Sequence, residues 1–353
     1  FSTVGRMVSL RKAALPVRLA CLFTPLLSLT LVGLWRPPEP EVSGVALQEL
    51  NATQLLGSLR GEVLLKDRGA RQNCTLQQPS IPRQVFLTTR DKDYMMHWER
   101  ENLAKCERVN PGWTFHLFGD SEIHSYVKET FPELLGVWSY LKNTIEQKDL
   151  WSYLIVYDRG GLFIDTDIDC RRPMDELIDE GKTRGLIGVE KADQSYLQFA
   201  QWSFAFAPRH TIPLLTINKI RAQVEEIKAA GSSDKDAVFL TGPVVWTDAI
   251  LEYMYTFGMG KKTIIEGHSF QPPRDHQVGD VRLLNVNAFA PMQPHSSATC
   301  NCSHPDIYLI HQWSGRWKNP QYRWYTADGK PPIGKTLPVN AMRGDWRPVC
   351  FTE

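Results

Sequence analysis

Three aspartates follow a short apolar run at alternating positions: Asp165, Asp167 and Asp169 come directly after Leu162-Phe163-Ile164. Side chains at positions i and i+2 of an extended segment point to the same side, so Asp165 and Asp167 are predicted to face one ligand together. Carboxylate oxygens suit hard divalent cations, which complete their shell with water and phosphate. The pattern therefore predicts a Mn²⁺ or Mg²⁺ site for a phosphorylated ligand, with Asp165 and Asp167 at its centre.

Three other interpretations compete with this one. Acidic residues at a strand end are often merely solvated. An EF-hand calcium loop is the second, because Asp165, Asp167, Asp169 and Glu176 have the spacing of its acidic ligands. Against it, Cys170 stands where that loop needs glycine, and an apolar strand rather than a helix precedes the acids. The third is a glycosidase, which needs two carboxyls several ångströms apart across a sugar rather than a cluster on one short run.

The segment before the acids predicts a helix that turns tightly into a buried strand. Asn143, with Glu146 three residues later, forms an N-cap box. Apolar residues then recur at helical spacing, namely Leu150, Trp151, Leu154 and Ile155. Gly160-Gly161 should end the helix, since glycine accepts the left-handed conformation of a C-cap. The apolar run up to Ile164 has no polar face, so we expect a strand covered on both sides, with Asp165 at its carboxyl end, where open α/β sheets bind ligands.

The following elements indicate a doubly wound α/β domain. Strands are predicted from Ile81 and over 114–118, and helices over 95–109 and 120–130. Strands that alternate with helices favour a mainly parallel central sheet. A chain of 353 residues can form one large domain of this kind with appendages. Its net charge of +1 gives no indication of a nucleic-acid partner.

The N-terminal part predicts membrane attachment. Residues 19–35 are apolar and uncharged, long enough for a short membrane span, and four basic residues precede them. We interpret 1–18 as a cytosolic tail, 19–35 as a signal-anchor transmembrane helix, 36–80 as a stem rich in Pro, Gly, Gln and Ser, and 81–353 as a lumenal catalytic domain. A cleaved signal peptide is the alternative, although Val32-Gly33-Leu34-Trp35 makes a poor cleavage site.

Two further features fit a secretory compartment, the Golgi or the endoplasmic reticulum. N-glycosylation sequons begin at Asn51, Asn73 and Asn301. Outside the apolar run there are six cysteines, an even number that is compatible with disulfides in an oxidising compartment. They are Cys74, Cys106, Cys170, Cys300, Cys302 and Cys350. Their spacing leaves the pairing open.

Several separated motifs resemble one known family. IPRQVF from Ile81, NPGWTFHLFGD from Asn110 and KDLWSYLIVYDRGGLFIDTDIDC from Lys148 resemble the DXD-motif sugar transferases of glycosyltransferase family 32. Downstream, QFAQWSFAFAPRHTIPLL (198–215), TGPVVWTD (241–248) and YLIHQWSGRWK (308–318) resemble the initiation-specific α-1,6-mannosyltransferases within it. The resemblance covers about 81–318.

The family implies a GT-A-type nucleotide-sugar transferase fold, a GDP-sugar or UDP-sugar donor and retention at the anomeric carbon. Asp165 and Asp167 then correspond to the DXD pair, and His311 is a candidate third metal ligand. Donor contacts are expected at Asp149, Ser152, Gly160, Gly161, Asp165, Thr241 and Gly242. Ser152 departs from the pattern, because arginine is usual there, and Arg159 or Arg83 could supply the missing cation.

These implications lead to one preferred function and three alternatives. The preferred function is metal-dependent α-1,6 transfer of mannose from GDP-mannose to a protein N-glycan in the Golgi. An α-1,4-N-acetylglucosaminyl- or galactosyltransferase and an inositol phosphoceramide mannosyltransferase share the helix-GG-strand-DxD unit but should lack the QFAQW and HQWSGRWK runs. An inactive lectin-like lumenal protein is the third alternative, suggested by Ser152.

Overall fold

The computed structural model describes residues 80–193, 196–231, 236–269, 274–293, 296 and 298–314. The predicted tail 1–18, the signal anchor 19–35 and nearly all of the stem lie outside these residues, as do Cys74, Cys350 and the sequons at Asn51 and Asn73. Within the described part of the chain, no helix combines the length and the apolar character that a membrane span requires.

A seven-stranded sheet and a separate strand pair form the β-structure of the described residues. The strands are β1 (Gln84–Thr88), β2 (Thr114–Phe118), β3 (Gly161–Ile164), β4 (Ile168–Cys170), β5 (Gly185–Ala192), β6 (Leu197–Phe206), β7 (His276–Val278), β8 (Val281–Leu284) and β9 (Leu309–His311). The large sheet has the order β2-β1-β3-β6-β5-β8-β7, and β4 pairs with β9. β6 and β7 run antiparallel to their neighbours, so five of the seven strands share one direction. The predicted α/β class is confirmed, with a sheet that is mixed rather than wholly parallel.

Helices cover this sheet. The α-helices are α1 (His97–Val109), α2 (Asp120–Thr130), α3 (Leu135–Trp138), α4 (Thr144–Arg159), α5 (Thr211–Ala229), α6 (Ala237–Leu240), α7 (Pro243–Tyr255), α8 (Lys261–Ser269) and α9 (Val286–Phe289). Short 3-10 turns span Lys92–Tyr94, Pro132–Leu134 and Met174–Leu177. The predicted helices over 95–109 and 120–130 are thus confirmed to within two residues.

The turn from α4 into β3 forms as the sequence predicts. The Asn143 N–H donates to Glu146 Oε2 at 3.2 Å, which completes the N-terminal cap. Gly160 and Gly161 have φ values of 67° and 111°, a backbone conformation that favours glycine. A Cβ at Gly160 would lie 2.6 Å from Pro208 Cδ, and one at Gly161 would lie 2.6 Å from the Gln84 carbonyl oxygen. Both positions therefore require glycine for conformation and for space.

Strand β3 is buried on both faces, as expected. Phe163 packs in a core with Leu154 of α4 and Phe204 of β6, whereas Leu162 and Ile164 belong to the core on the opposite face. Full burial of one such side chain contributes about 1.5–3 kcal/mol. The carboxyl end of β3 is therefore a rigid base for the acidic residues that follow it.

The pairing of β5 with β6 is interrupted by a wide β-bulge in β6. Ile187 of β5 pairs with Phe204 and Val189 pairs with Phe199, so one residue of β5 lies opposite the four residues 200–203 of β6. Such bulges redirect side chains and are frequent beside active sites. Trp202 consequently packs in the core on the face opposite that of Phe204, whereas simple alternation predicts one face for both.

A disulfide between Cys106 and Cys170 joins α1 to β4 across 64 positions of sequence. Cys300 and Cys302 are also disulfide-bonded. The interpretation of the cysteines as disulfide partners is confirmed for these four residues. By chain-entropy arguments, a bond that closes a loop of this length stabilises the folded state by about 4 kcal/mol, because it restricts the unfolded chain. The bond also ties α1 covalently to β4, the strand that follows the DXD motif.

Candidate active site

Asp165, Thr166 and Asp167 form a tight turn between β3 and β4. The Asp165 N–H donates to the Trp202 carbonyl at 3.0 Å, and the Ile168 N–H donates back to the Asp165 carbonyl at 3.3 Å. The two carboxylates therefore meet because the chain reverses, and not because they alternate along an extended strand. This corrects the predicted reason for their proximity.

His311 completes the cluster through a long-range strand pairing. In the antiparallel pair of β4 and β9, Ile168 lies opposite His311. His311 Nε2 lies 3.2 Å from Asp167 Oδ1 and 4.0 Å from Asp165 Oδ2. One ligand atom from each of the three residues falls within 4.8 Å of the other two. Trp202 stacks on the imidazole with ring centroids 4.7 Å apart and so fixes its plane. The structure thus brings together all three predicted metal ligands.

Electrostatics in this cluster favour a bound cation. Loss of hydration raises the pKa of Asp165, and the neighbouring Asp167 carboxylate raises it further. Because 43 % of the Asp165 side chain is exposed, we attribute its raised pKa more to repulsion between the two carboxylates than to loss of hydration. Burial would also raise the pKa of Asp167, but the His311 charge and the hydrogen bonds from His311 and Ser314 hold it below its ordinary value. One carboxylate is therefore ionised at neutral pH, and the other needs a positive charge to become so.

The donor atoms fit Mn²⁺ or Mg²⁺. Asp167 Oδ2 accepts the Ser314 N–H at 2.9 Å, which leaves Oδ1 facing His311 and Asp165. Burial lowers the pKa of His311, but the Asp167 and Asp165 charges outweigh it and raise the value overall. The raised pKa of His311 beside two carboxylates indicates that this position stabilises positive charge. Two carboxylate oxygens and one imidazole nitrogen leave coordination positions for water and phosphate.

The calcium alternative does not fit the described residues. Asp169 forms ion pairs with Lys105 and, at 2.7 Å, with Arg171. Glu176 pairs with Arg172. Two of the four acids that an EF-hand loop would need are therefore engaged with cations outside the cluster.

Asp149 lies in a buried hydrogen-bond network near the cluster. Its Oδ1 accepts from Gln201 Nε2 at 3.1 Å, and its Oδ2 accepts from Thr241 Oγ1 at 2.9 Å. Burial raises the pKa of Asp149 to about 7, against the two hydrogen bonds, and the Glu146 charge adds to the rise. The Asp149 charge in turn contributes to the raised pKa of Asp165. Predicted donor residues Asp149 and Thr241 are thus placed together, close to the DXD turn.

Two polar residues of this region escaped the sequence-based prediction. Gln201 reaches Asp149 because of the bulge in β6, and its only signal was its place in the QFAQW run. Lys148 precedes Asp149 and lowers the pKa of Asp165 through its charge, while it pairs with Asp120 at 3.0 Å. A single lysine on a helix gives no distinctive signal.

Other predicted donor residues lie elsewhere or are engaged. Gly160 and Gly161 sit at the amino end of β3, a strand length from Asp165, and close the helix–strand turn instead. Ser152 is fully buried and its hydroxyl donates to the Asp149 carbonyl at 2.7 Å. The Gly242 N–H donates to the Ala237 carbonyl at 2.8 Å, so it is not a free donor at the start of α7. Gly160 and Gly161 are thus placed away from the DXD turn, whereas the donor contacts predicted at Ser152 and Gly242 stay predictions.

Neither arginine suggested as a replacement cation reaches the cluster. Arg83 lies at the start of β1, where it pairs with Asp175 at 2.9 Å and Glu180 at 3.0 Å. Arg159 ends α4, with its guanidinium 5.3 Å from the Tyr126 ring centre. Both therefore lie at the amino edge of the sheet, opposite Asp165.

The region around the DXD turn matches a known protein family. Residues 97–183 match the family described as a glycosyltransferase sugar-binding region containing a DXD motif. Residues 97–183 thus carry the DXD-containing sugar-binding region of a glycosyltransferase family. The predicted family is thereby confirmed, and the DXD pair within the matched region is Asp165 and Asp167.

Curated relatives of this chain are named as mannosyltransferases. It is 24 % identical over 264 residues to the initiation-specific α-1,6-mannosyltransferase of Schizosaccharomyces pombe, covering 68 % of this chain and 64 % of that one. The Candida albicans protein of the same name is 25 % identical over 253 residues, 60 % of this chain and 65 % of its own. Inositol phosphoceramide mannosyltransferase 1 of S. pombe is 30 % identical over 105 residues, 29 % of this chain and 33 % of that one. The chain thus spans just under two thirds of the two α-1,6-mannosyltransferases.

Proposed function

We propose that this protein is a metal-dependent, retaining mannosyltransferase of GT-A type that transfers mannose from GDP-mannose to a protein N-glycan through an α-1,6 linkage. The observation that carries the proposal is the convergence of Asp165, Asp167 and His311 at the carboxyl end of β3, within the matched DXD region. The names of the relatives support mannose as the sugar. The longer alignments to α-1,6-mannosyltransferases support the linkage.

Each residue of the cluster has a role in this proposal. Asp165, Asp167 and His311 would hold Mn²⁺ or Mg²⁺, which neutralises the charge of the departing diphosphate. Asp149 accepts one hydrogen bond on each carboxylate oxygen, so each retains a lone pair for a hydroxyl of the donor sugar. The acceptor hydroxyl oxygen bonds to the anomeric carbon as the bond from that carbon to the phosphate oxygen breaks. The hydroxyl proton passes to the departing phosphate on the same face, which retains the configuration.

We expect GDP to bind more tightly than UDP in the presence of Mn²⁺, by about tenfold or more, which corresponds to ~1.4 kcal/mol. The reason is the resemblance of the downstream motifs at 198–215, 241–248 and 308–318 to those of α-1,6-mannosyltransferases, the group named among the relatives. Isothermal titration calorimetry of each nucleotide into the purified protein measures the difference. Equal affinities, or tighter UDP binding, would instead favour an α-1,4-N-acetylglucosaminyl- or galactosyltransferase. No nucleotide binding at all would favour the lectin-like alternative.

Transfer to inositol phosphoceramide is the second candidate function. Its support is the higher local identity to that group of enzymes, 30 % over 105 residues and 32 % over 98 residues. Those alignments cover less than a third of this chain, which is why we rank it second. Incubation of the protein with radiolabelled GDP-mannose and both acceptor classes would separate the two candidates.

We also propose that the described domain lies in the lumen of the Golgi or endoplasmic reticulum, behind a signal anchor at 19–35. The Cys106–Cys170 disulfide and the exposed sequon residue Asn301 are compatible with that compartment. In sealed microsomes we expect the C-terminus to resist protease until detergent is added, and the protein to gain mobility after glycosidase treatment. A C-terminus that is digested without detergent would contradict the proposed orientation.

A further inference from the structure

The fully buried residues of α1 are not apolar, although Leu103 and Val109 of the same helix pack partly buried against the core. Its buried residues are Glu99, Asn102 and Cys106, which follow one another at helical spacing. Helices usually dock through an apolar stripe. In α1 the fully buried groups are a carboxylate, an amide and a disulfide sulfur, and all three contact the DXD turn or β4.

The contacts concentrate on Thr166, the residue between the two DXD aspartates. The Thr166 hydroxyl donates to Glu99 Oε1 at 2.9 Å, and the Thr166 carbonyl accepts from Asn102 Nδ2 at 3.1 Å. Glu99 is itself fixed, because its other oxygen accepts the Met96 N–H at 2.8 Å. Asn102 and Glu99 are 8 % and 2 % exposed, so water competes little for these bonds. The side chain and the backbone of Thr166 are therefore both held by α1.

Asn102 also reaches the segment that carries the histidine. Its amide forms two hydrogen bonds with the Gln312 side chain, of 3.3 Å and 3.2 Å. The Gln312 N–H donates in turn to the Asp167 carbonyl at 2.9 Å. Asn102 thus bridges the DXD turn and the residue next to His311, and these are the two pieces of chain whose separation determines the distances within the cluster.

We propose that Asn102, supported by Glu99, is a positioning residue that sets the geometry of the Asp165, Asp167 and His311 metal site. It acts by fixing Thr166 and Gln312 relative to each other, and it touches neither the metal nor the substrate. Residues behind a metal site commonly contribute one to two orders of magnitude in metal affinity through such contacts. The inference rests on the proposed metal site.

The test compares two buried asparagines, one within α1 and one at its C-terminal cap. Asn102→Ala removes the bridge. Asn110→Ala is the matched control, since Asn110 is 3 % exposed, bonds to the Cys106 carbonyl at 3.0 Å and accepts the Met174 N–H at 2.8 Å, all away from the turn. Mn²⁺ binding to the full-length protein is measured by electron paramagnetic resonance of the free ion, without donor or acceptor. Thermal unfolding is recorded for each variant without metal.

We expect Asn102→Ala to weaken Mn²⁺ binding by about tenfold or more, and Asn110→Ala to lower the melting temperature with a Kd within about twofold of wild type. Thr166→Val, which loses the hydroxyl, should weaken binding, and Thr166→Ser, which keeps it, should restore it. A wild-type Kd in Asn102→Ala, or an equal loss in both asparagine variants, would overturn the positioning role and leave the proposed function standing. Wild-type protein that binds no Mn²⁺ would overturn both.

Discussion

Replacement of Asp167 by asparagine is expected to reduce sugar transfer by about three orders of magnitude or more, with the fold intact. Asparagine keeps the shape of the side chain and one oxygen that can accept the Ser314 N–H, now 2.9 Å from Asp167 Oδ2. It removes the negative charge that faces His311 and Asp165. Loss of several kcal/mol of stabilisation of the departing diphosphate corresponds to this drop in rate, at about 1.4 kcal/mol for each factor of ten.

Initial rates with GDP-mannose and Mn²⁺ measure this effect, and circular dichroism checks the fold. Asp169→Asn is the internal control, because Asp169 pairs with Lys105 and Arg171 outside the cluster. We expect a milder loss of transfer for Asp169→Asn and a lower melting temperature, since two cations lose their partner. Near-normal turnover of Asp167→Asn would contradict the assignment of the site. Transfer that survives complete chelation of divalent metal would do the same.

The helix–strand unit that supports the acids could be predicted because its signals are local. The Asn143 cap, the Gly160-Gly161 stop and the apolar run to Ile164 each act within a few residues of sequence, and all three appear in the structure. The DXD pair follows from the same stretch. These elements depend on backbone conformation and helix capping, which short patterns encode.

The rest of the site depends on contacts between distant segments. His311 reaches the acids only through the pairing of β9 with β4, and only family resemblance indicated it from the sequence. Gln201 requires a bulge in β6 that no local pattern predicts. Gly160 and Gly161 illustrate the opposite error, since residues close to Asp165 in sequence lie a strand length away from it. Nearness in sequence was therefore a poor guide to which polar residues share the site.

The buried Ser152 supplies no positive charge for a bound donor. Its hydroxyl bonds to the carbonyl of Asp149 within the same helix, and its side chain is closed to solvent. The charge that arginine would bring at this position is therefore not replaced at the same place. Lys148, one position before Asp149, acts on Asp165 electrostatically and is partly exposed. This lysine is the better candidate for a cation beside the donor than Arg83 or Arg159.

Asp149→Asn is expected to lower transfer and to stabilise the folded protein at alkaline pH. In the folded state the pKa of Asp149 is about 7, against an ordinary value of 3.8, chiefly because the carboxyl is buried. The folded state therefore binds a proton more tightly than the unfolded state. The stability of the folded protein therefore falls as the pH rises from about 4 to about 7. Above that range the ionised Asp149 carboxylate has its full destabilising effect. A difference of about three pKa units corresponds to about 4 kcal/mol. This value is the upper bound for the gain in unfolding free energy when a neutral amide replaces the carboxylate.

The network can accept the amide without an unpaired group. The amide introduced by Asp149→Asn could accept from Gln201 through its oxygen and donate to the Thr241 hydroxyl, which has the Ala237 carbonyl as an alternative acceptor at 3.3 Å. Sugar transfer should nevertheless fall by about ten- to a hundredfold. The reason is that each hydrogen bond from a hydroxyl of the nucleotide-sugar to the charged Asp149 carboxylate contributes about 1.5–3 kcal/mol. Chemical denaturation at several pH values and initial rates at neutral pH measure the two effects.

Asp158→Asn provides the control on the same helix. Asp158 accepts from Tyr126 at 2.8 Å and pairs with Arg209 at 2.9 Å, so loss of its charge should give no gain in stability at any pH. For Asp149→Asn the gain in stability should be absent near pH 4 and should grow until about pH 7. If its stability follows the wild-type pH profile, Asp149 carries no buried charge at neutral pH. If the variant is more stable yet transfers sugar at the wild-type rate, the carboxylate has no part in binding the donor.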